Sequence, residues 1–138
     1  MLAVAVVAAL LAWHGLSVAL PASSLKATAG TSLSSGKALF MEHCASCHGD
    51  DAKGAGPAAL ALKTQPPDLT ALAKRNHGKF PYDKVYGAID GGFSVPAHGS
   101  KEMPTWGAVF LALTPANRSE VGRRITDLTD YIKSIQVK

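Results

Sequence analysis

The stretch Cys44-Ala45-Ser46-Cys47-His48 decides what this chain can be. Side chains three positions apart lie on the same face of a helical turn, so both thiols can reach one flat partner. A C-x-x-C-H run is the attachment signature of c-type haem, in which two thioethers fix the porphyrin and the histidine lies close to the iron. The spacing therefore predicts covalent haem held by Cys44 and Cys47, with His48 as an axial iron ligand.

Two other interpretations of paired cysteines are disfavoured by the rest of the chain. A thioredoxin-like redox pair requires a strand followed by a helix, and no strand pattern precedes Cys44. A structural zinc site requires four ligands, but the chain has only 2 cysteines. His43 is also poorly placed to join His48 on one metal. Haem is the cofactor that this motif favours.

The first 22 residues differ from the rest in composition. Residues 1–20 carry no charged side chain, and the apolar run 2–13 has the length of the hydrophobic part of a signal peptide. Ser17-Val18-Ala19 or Leu20-Pro21-Ala22 would suit cleavage. A basic start is missing, however, and about twenty apolar residues can cross a bilayer as an uncleaved anchor. Under either interpretation we expect export, to the periplasm or the outer face of the cytoplasmic membrane.

The remaining chain predicts one domain. Residues 23–34 are rich in Ser, Thr, Ala and Gly and predict a flexible leader, and residues 35–138 can bury a modest core. The 14 basic and 10 acidic residues give a formal charge of +4 without a run of five basic residues, which argues against a nucleic-acid surface. A basic rim that docks an acidic partner is a hypothesis for Lys53, Lys63, Lys74, Arg75, Lys79 and Lys101.

Apolar periodicity and end signals predict helices along the domain and no strands. The last helix carries an apolar stripe that we expect to pack on the first helix, with Gly36 and Tyr131 at the crossing. The stripe consists of Val121, Ile125, Leu128, Ile132 and Ile135. The predicted helices run from Ser34 or Ser35 to Gly49, from Asp68 to Asn76, from Pro81 to Gly91, and from Thr114-Pro115 towards the C-terminus.

The second axial position has two candidates, both in residues 93–105, which show no helical period. Met103 offers a soft, neutral thioether, and a histidine–methionine pair raises the reduction potential of haem iron. His98 would give two histidine ligands and a lower potential. We favour Met103, and His98 remains the alternative.

Further motifs follow the haem motif along the chain. They are Gly56-Pro57, Pro66-Pro67-Asp68-Leu69-Thr70, His98-Gly99, Met103-Pro104-Thr105-Trp106-Gly107 and Thr129-Asp130-Tyr131-Ile132-Lys133. Together with residues 44–49 they resemble the class I monohaem cytochromes c over roughly residues 35–136. The resemblance implies an all-α cytochrome c fold, with helices wrapped around one covalently bound haem c and the terminal helices crossing.

The same resemblance implies roles for individual residues. Pro57 matches the proline whose backbone carbonyl accepts a hydrogen bond from the ring N–H of the iron-bound histidine. Trp106 matches an aromatic side chain near the haem propionates, although core packing would also explain it. Phe40 and Tyr131 match the aromatic residues at the crossing of the terminal helices.

The function that these features imply is outer-sphere electron transfer between redox proteins, not enzymatic catalysis. Membrane contact is expected only if residues 1–22 are retained. The alternative is a permanently docked or membrane-anchored haem subunit of a larger oxidoreductase or respiratory complex. Catalysis or gas binding at an open iron ranks last, since no distal acid and base are evident.

Overall fold

The computed structural model describes residues 29–92, 103–115 and 117–137, with the backbone alone for residues 29–34. Over these ranges it contains α-helices and two short 3-10 turns, at Ala59–Ala61 and Leu69–Ala71, and no strand. The all-α prediction is confirmed. The helices are α1 Ala29–His43, α2 Ala45–His48, α3 Leu72–Arg75, α4 Tyr82–Asp90, α5 Trp106–Leu113 and α6 Arg118–Ser134.

The proposed signal peptide or anchor at residues 1–22 lies outside the described residues. No helix in the part of the chain that is described has the length and apolar character needed to cross a membrane. Of the predicted leader at residues 23–34, the last six residues belong to α1. The cap predicted at Ser34 or Ser35 is therefore wrong, because a helix that already includes Ala29 extends through these serines at little cost per residue.

The predicted crossing of α1 and α6 is confirmed and forms the centre of the core. Gly36 faces the Asp127 carbonyl so closely that a methyl group would overlap it, and that methyl would lie 2.8 Å from Tyr131 Cβ. Phe40 is fully buried, and its ring centroid lies 5.4 Å from that of Tyr131. The predicted stripe on α6 is buried at Val121, Ile125, Leu128 and Ile132, and the half-buried Ile135 packs against it.

Three predicted helix ends are confirmed by their local geometry. Gly49 ends α2 at φ 80°, and Gly91 ends α4 at φ 92°, a left-handed conformation that favours glycine. Asp68 Oδ1 accepts the backbone N–H of Thr70 at 2.8 Å and caps the turn that leads into α3.

The start predicted for the last helix is wrong. The helix begins at Arg118 rather than at Thr114-Pro115, because Asn117 Oδ1 accepts the N–H of Glu120 at 3.0 Å and is the true cap. The Thr114 hydroxyl instead donates to the Phe110 carbonyl at 2.8 Å, at the end of the preceding helix.

That preceding helix, α5, has no counterpart among the predicted elements. Its eight residues, WGAVFLAL, are all apolar or glycine, so they show no alternation between a buried and an exposed face. Its N-cap residue, Thr105, makes no side-chain capping bond. Both usual signals of a helix are therefore missing, although the segment buries Gly107 and Phe110 between α4 and α6.

Candidate cofactor-binding site

The Cys44–His48 motif lies where the first helix bends. The Cys44 N–H still bonds to the Phe40 carbonyl at 2.8 Å, as it would in a continuous helix. The Cys44 carbonyl then accepts the N–H groups of both Cys47, at 3.1 Å, and His48, at 2.9 Å. One tight turn therefore carries both thiols and the imidazole.

Both cysteines are half-buried and are not joined in a disulfide. Burial, and secondarily the nearby Cys47, raises the pKa of the Cys44 thiol from 9.0 to about 12. The Cys44 thiol is consequently protonated and neutral near pH 7. A neutral thiol in an apolar setting is suited to replacement by a neutral thioether, which brings no charge into the core.

The loop that follows α2 wraps back over the end of that helix. The last four carbonyls of a helix have no partner further along that helix. Here each of the four carbonyls of α2 accepts a backbone N–H from residues 49–58. The pairs are Gly49 to Ala45 at 2.8 Å, Gly54 to His48 at 2.7 Å, Gly56 to Cys47 at 3.1 Å and Ala58 to Ser46 at 2.8 Å. We call this set the carbonyl ladder.

The carbonyl ladder requires glycine at two of its steps. A Cβ at Gly56 would lie 2.6 Å from the Ala45 oxygen and 2.7 Å from the Cys47 carbonyl carbon, so the loop could not approach α2. Gly54 has φ 87°, and a Cβ there would overlap Pro66. Gly56 therefore lets the loop pack directly against the helical turn that carries the thiols, and Gly54 lets the same loop pack against Pro66.

His48 is held inside this arrangement with 7% of its surface exposed. Pro57, predicted to accept a bond from its ring, is exposed and lies between Gly56 and Ala58, two donors of the carbonyl ladder. The loop thus places Pro57 beside the motif. Its acceptor role towards His48 stays a prediction.

Met103 is half-buried and lies two residues before the N-cap of α5. Among the described residues, the half-buried apolar side chains that pack against the core do not include it. The rival ligand His98 lies outside the described residues.

Trp106 begins α5 and packs on the residue that precedes the haem motif. Its ring centroid lies 4.8 Å from that of His43 and 5.7 Å from that of Phe110. This contact joins the start of α5 to the end of α1, immediately before Cys44. His43 thus has a packing role at this junction, and the role predicted for Trp106 near the haem propionates stays a prediction.

Gln136 is a residue that the sequence analysis missed. Its side-chain oxygen accepts the Ala73 N–H at 2.8 Å, and its nitrogen donates to the carbonyls of Leu69 at 2.7 Å and Ile132 at 2.8 Å. The Leu69 N–H in turn bonds to the Ala52 carbonyl in the loop below the motif, at 2.8 Å. Two of these three partners lie more than 60 positions away along the sequence. No local sequence pattern could therefore predict these hydrogen bonds.

The donor set on α2 fits a c-type haem. Two reduced thiols can each form a thioether, and one buried imidazole can ligate the iron, which together are the groups that hold such a haem. Among the described residues no group of three or more His, Cys, Asp or Glu side chains could hold a bare metal ion.

Comparison with known proteins gives one match. A search of curated proteins and a search of solved structures each found nothing similar. A family model described as "Cytochrome c" matches residues 33–136, a range that includes the Cys44–His48 motif and Met103. Proteins of this family bind haem c covalently, in agreement with Cys44, Cys47 and His48. Because the match covers most of the chain, this protein belongs to the cytochrome c family.

Proposed function

We propose that the protein is an electron carrier in which His48 and Met103 are the axial ligands of one haem c. Membership of the cytochrome c family already implies haem-based electron transfer. When bound, haem c supplies a one-electron couple between ferric and ferrous iron. The carbonyl ladder is the observation that carries the proposal, because it fixes the turn from which both cysteines and His48 project.

A rigid motif is what outer-sphere transfer requires of the protein. No bond is made or broken in such a transfer, so the chain contributes by keeping the same ligand positions in both oxidation states. The carbonyl ladder occupies the last four carbonyls of α2, and the buried His48 has little freedom to move. The role proposed for these residues is therefore orientation, with no proton transfer.

Met103 is supported as the second ligand by its surroundings and its chemistry. It is half-buried, and Pro104 restricts the backbone immediately after it. A thioether is neutral and favours ferrous iron, so the pair would give a higher potential than two histidines.

Acidic redox proteins are the proposed partners. The surface carries exposed basic side chains, whose charge would steer encounter without a large interface. Within the predicted rim, Lys53 lies 3.7 Å from Asp51, and Arg75 donates to the Asp68 carbonyl at 2.6 Å. The other described members of the predicted rim are Lys63, Lys74 and Lys79, and Lys101 lies outside the described residues.

Export, by cleavage or by anchoring of residues 1–22, is proposed with the same function. The intact mass of the protein in the soluble and membrane fractions of its native cells distinguishes the two. A chain shortened near residue 20 or 22 in the soluble fraction supports a free carrier. The full chain in the membrane fraction supports an anchored one, and a full chain in the cytoplasm contradicts export.

The alternative is a docked subunit, in which a permanent partner covers exposed apolar side chains. Leu60 and Leu113, which expose 97% and 63% of their surface, are the most exposed large apolar side chains among the described residues. Size-exclusion chromatography of a gentle native extract tests this. Elution at the size of the monomer contradicts a stable complex, and co-elution of haem absorbance with a larger assembly supports it.

The ligand assignment is tested by Met103→Ala in the holoprotein, with Met41→Ala as the matched control. Met41 is 41% exposed on α1 and has no proposed role at the iron. We expect Met103→Ala to lower the reduction potential and to let ferrous iron bind carbon monoxide, with Met41→Ala unchanged in both. Equal potentials and equal carbon monoxide binding in the two variants would rule out Met103.

A further inference from the structure

The residues that precede and follow positions 93–102 form one tight contact between the end of α4 and the start of α5. Gly91, just after α4, faces the Thr105 side chain, whose Cβ and Oγ1 would lie 3.2 and 3.3 Å from a methyl at Gly91. Gly107, in the first turn of α5, faces Asp90, whose carbonyl oxygen would lie 2.6 Å from a methyl there. We call the contact formed by Asp90, Gly91, Thr105 and Gly107 the loop neck.

The loop neck leaves no room for an added methyl group at Gly107, whereas the described residues leave room for one at Gly92. A methyl at Gly107 would overlap the Asp90 carboxylate as well as approach its backbone. Among the described residues, the nearest atom to a methyl at Gly92 would be Asp90 Oδ2 at 4.0 Å, an ordinary contact. In this part of the chain, the Asp90 carboxylate therefore obstructs a methyl group at Gly107 but not one at Gly92.

Each half of the loop neck is held by backbone hydrogen bonds to its own helix. The N–H groups of Gly91 and Gly92 bond to the Gly87 carbonyl at 2.9 and 3.0 Å. The Val109 N–H bonds to the Thr105 carbonyl at 3.2 Å. The Asp90 carboxylate also lies at the first turn of α5, where the helix dipole favours a negative charge. The loop neck is therefore a junction between two helix ends that are each held by backbone hydrogen bonds.

Met103 is only two residues from this junction. An extended chain advances at most about 3.6 Å per residue, so the Met103 backbone stays within about 7 Å of Thr105. Pro104 between them has a restricted φ, which removes part of the remaining freedom. The loop neck therefore confines the Met103 backbone to a small region beside the start of α5.

We propose that the loop neck is the positioning device for Met103: Asp90, Gly91, Thr105 and Gly107 hold its backbone where the thioether can ligate the iron. This proposal rests on the assignment of Met103 as the second ligand. None of the four residues need touch the haem. Their part is to make loss of the thioether costly, because opening the site would require the junction to move.

Gly107→Ala in the holoprotein tests the proposal, with Gly92→Ala as the matched control. The added methyl strains the closed loop neck, and displacement of Met103 by imidazole at ferric iron relieves that strain. We expect imidazole to bind about tenfold more tightly to Gly107→Ala than to the unmodified protein, from the usual size of an overpacking penalty. Gly92→Ala should bind it as the unmodified protein does.

Thr105→Ser keeps the test decisive if Gly107→Ala does not fold. It removes the methyl that faces Gly91, and no side-chain capping bond is lost because Thr105 makes none. We expect tighter imidazole binding and faster amide hydrogen exchange at Val109, whose N–H bonds to Thr105. The exchange rate reports the loop neck independently of the iron.

Met103→Ala separates failure of this proposal from failure of the ligand assignment. If Met103→Ala leaves imidazole binding unchanged, the assignment of Met103 is wrong and the loop neck has nothing to position. If Met103→Ala tightens imidazole binding while Gly107→Ala and Thr105→Ser match Gly92→Ala, Met103 is the ligand and the loop neck does not hold it.

Discussion

The crossing of α1 and α6 makes a sharp prediction for a single methyl group. At Gly36 a new Cβ overlaps the Asp127 carbonyl, which belongs to the backbone and cannot rotate away. It also lies 2.8 Å from Tyr131 Cβ, whereas ordinary contact begins at 3.4 Å. Gly36→Ala therefore forces the two helices apart.

The magnitude follows from two opposing effects. Replacing a glycine inside a helix by alanine stabilises it by about 1 kcal/mol. Overpacking costs about 1–3 kcal/mol, and a backbone obstacle places Gly36 near the upper end. Gly36→Ala should lower the free energy of unfolding by about 2 kcal/mol net.

Gly122→Ala in α6 is the matched control. Its nearest neighbour would be the Tyr86 hydroxyl at 3.8 Å, an ordinary contact, so only the gain in helix propensity remains, about 1 kcal/mol. The propensity gain is common to both variants and cancels in their difference, which isolates an overpacking cost of about 3 kcal/mol.

Guanidinium chloride unfolding of the holoproteins, followed by far-ultraviolet circular dichroism, measures both values. The expected order of stability is Gly122→Ala, then the unmodified protein, then Gly36→Ala. If Gly36→Ala is as stable as Gly122→Ala, the helices do not cross at Gly36 and the packing described for the core is wrong.

Three further predictions concern the site and its supports. Gly56→Ala should destabilise the protein by about 3 kcal/mol by breaking the carbonyl ladder. In the same unfolding assay Gly78→Ala should cost only about 1 kcal/mol, because the added methyl meets no described atom and the cost comes from the φ of 81° alone. Gln136→Leu should cost about 2–3 kcal/mol because it leaves three backbone groups without their side-chain partner. Ser134→Ala, which loses a single part-buried bond to the Tyr131 carbonyl, should cost about 1 kcal/mol. Burial, and secondarily a hydrogen bond to the Asp130 carboxylate, raises the pKa of Tyr82 from 10.0 to about 12. The stability contributed by the protonated phenol is therefore complete below pH 10 and is lost as the pH rises to about 12. Tyr82→Phe should remove this loss.

Each of these has a contradicting outcome. Equal stability of Gly56→Ala and Gly78→Ala would mean that the loop does not seat against α2. A Gln136→Leu variant as stable as Ser134→Ala would mean that the C-terminal segment is not tied to Leu69 and Ala73. Identical alkaline unfolding of Tyr82→Phe and the unmodified protein, titrated from pH 9 to pH 12, would place the Tyr82 hydroxyl in solvent.

The sequence was informative where a signal is local. The apolar stripe from Val121 to Ile132 specified the buried face of α6, because helical periodicity depends only on neighbouring positions. Asp68, Gly49 and Gly91 marked helix ends for the same reason, since a cap acts within two or three residues. The haem motif is also local, as one turn holds all three functional side chains.

The sequence was uninformative where partners are distant or signals compete. Thr114-Pro115 and Asn117 are both acceptable helix starts. The unpredicted helix α5 decided between them, because the Thr114 hydroxyl bonds to the Phe110 carbonyl at the end of that helix. α5 itself is uniformly apolar, so its face could not be told from periodicity. The bonds of Gln136 depend on how the chain folds back on itself, which no single segment encodes.

The most direct test of the central claim is the proton spectrum of the reduced holoprotein with its methionine methyl groups isotopically labelled. The chain contains 3 methionines, and only Met103 is assigned to the iron. We expect one methionine methyl signal to be shifted far upfield by the haem ring current, and to vanish in Met103→Ala. If every methionine methyl signal lies in its ordinary range, the His48–Met103 pair is wrong.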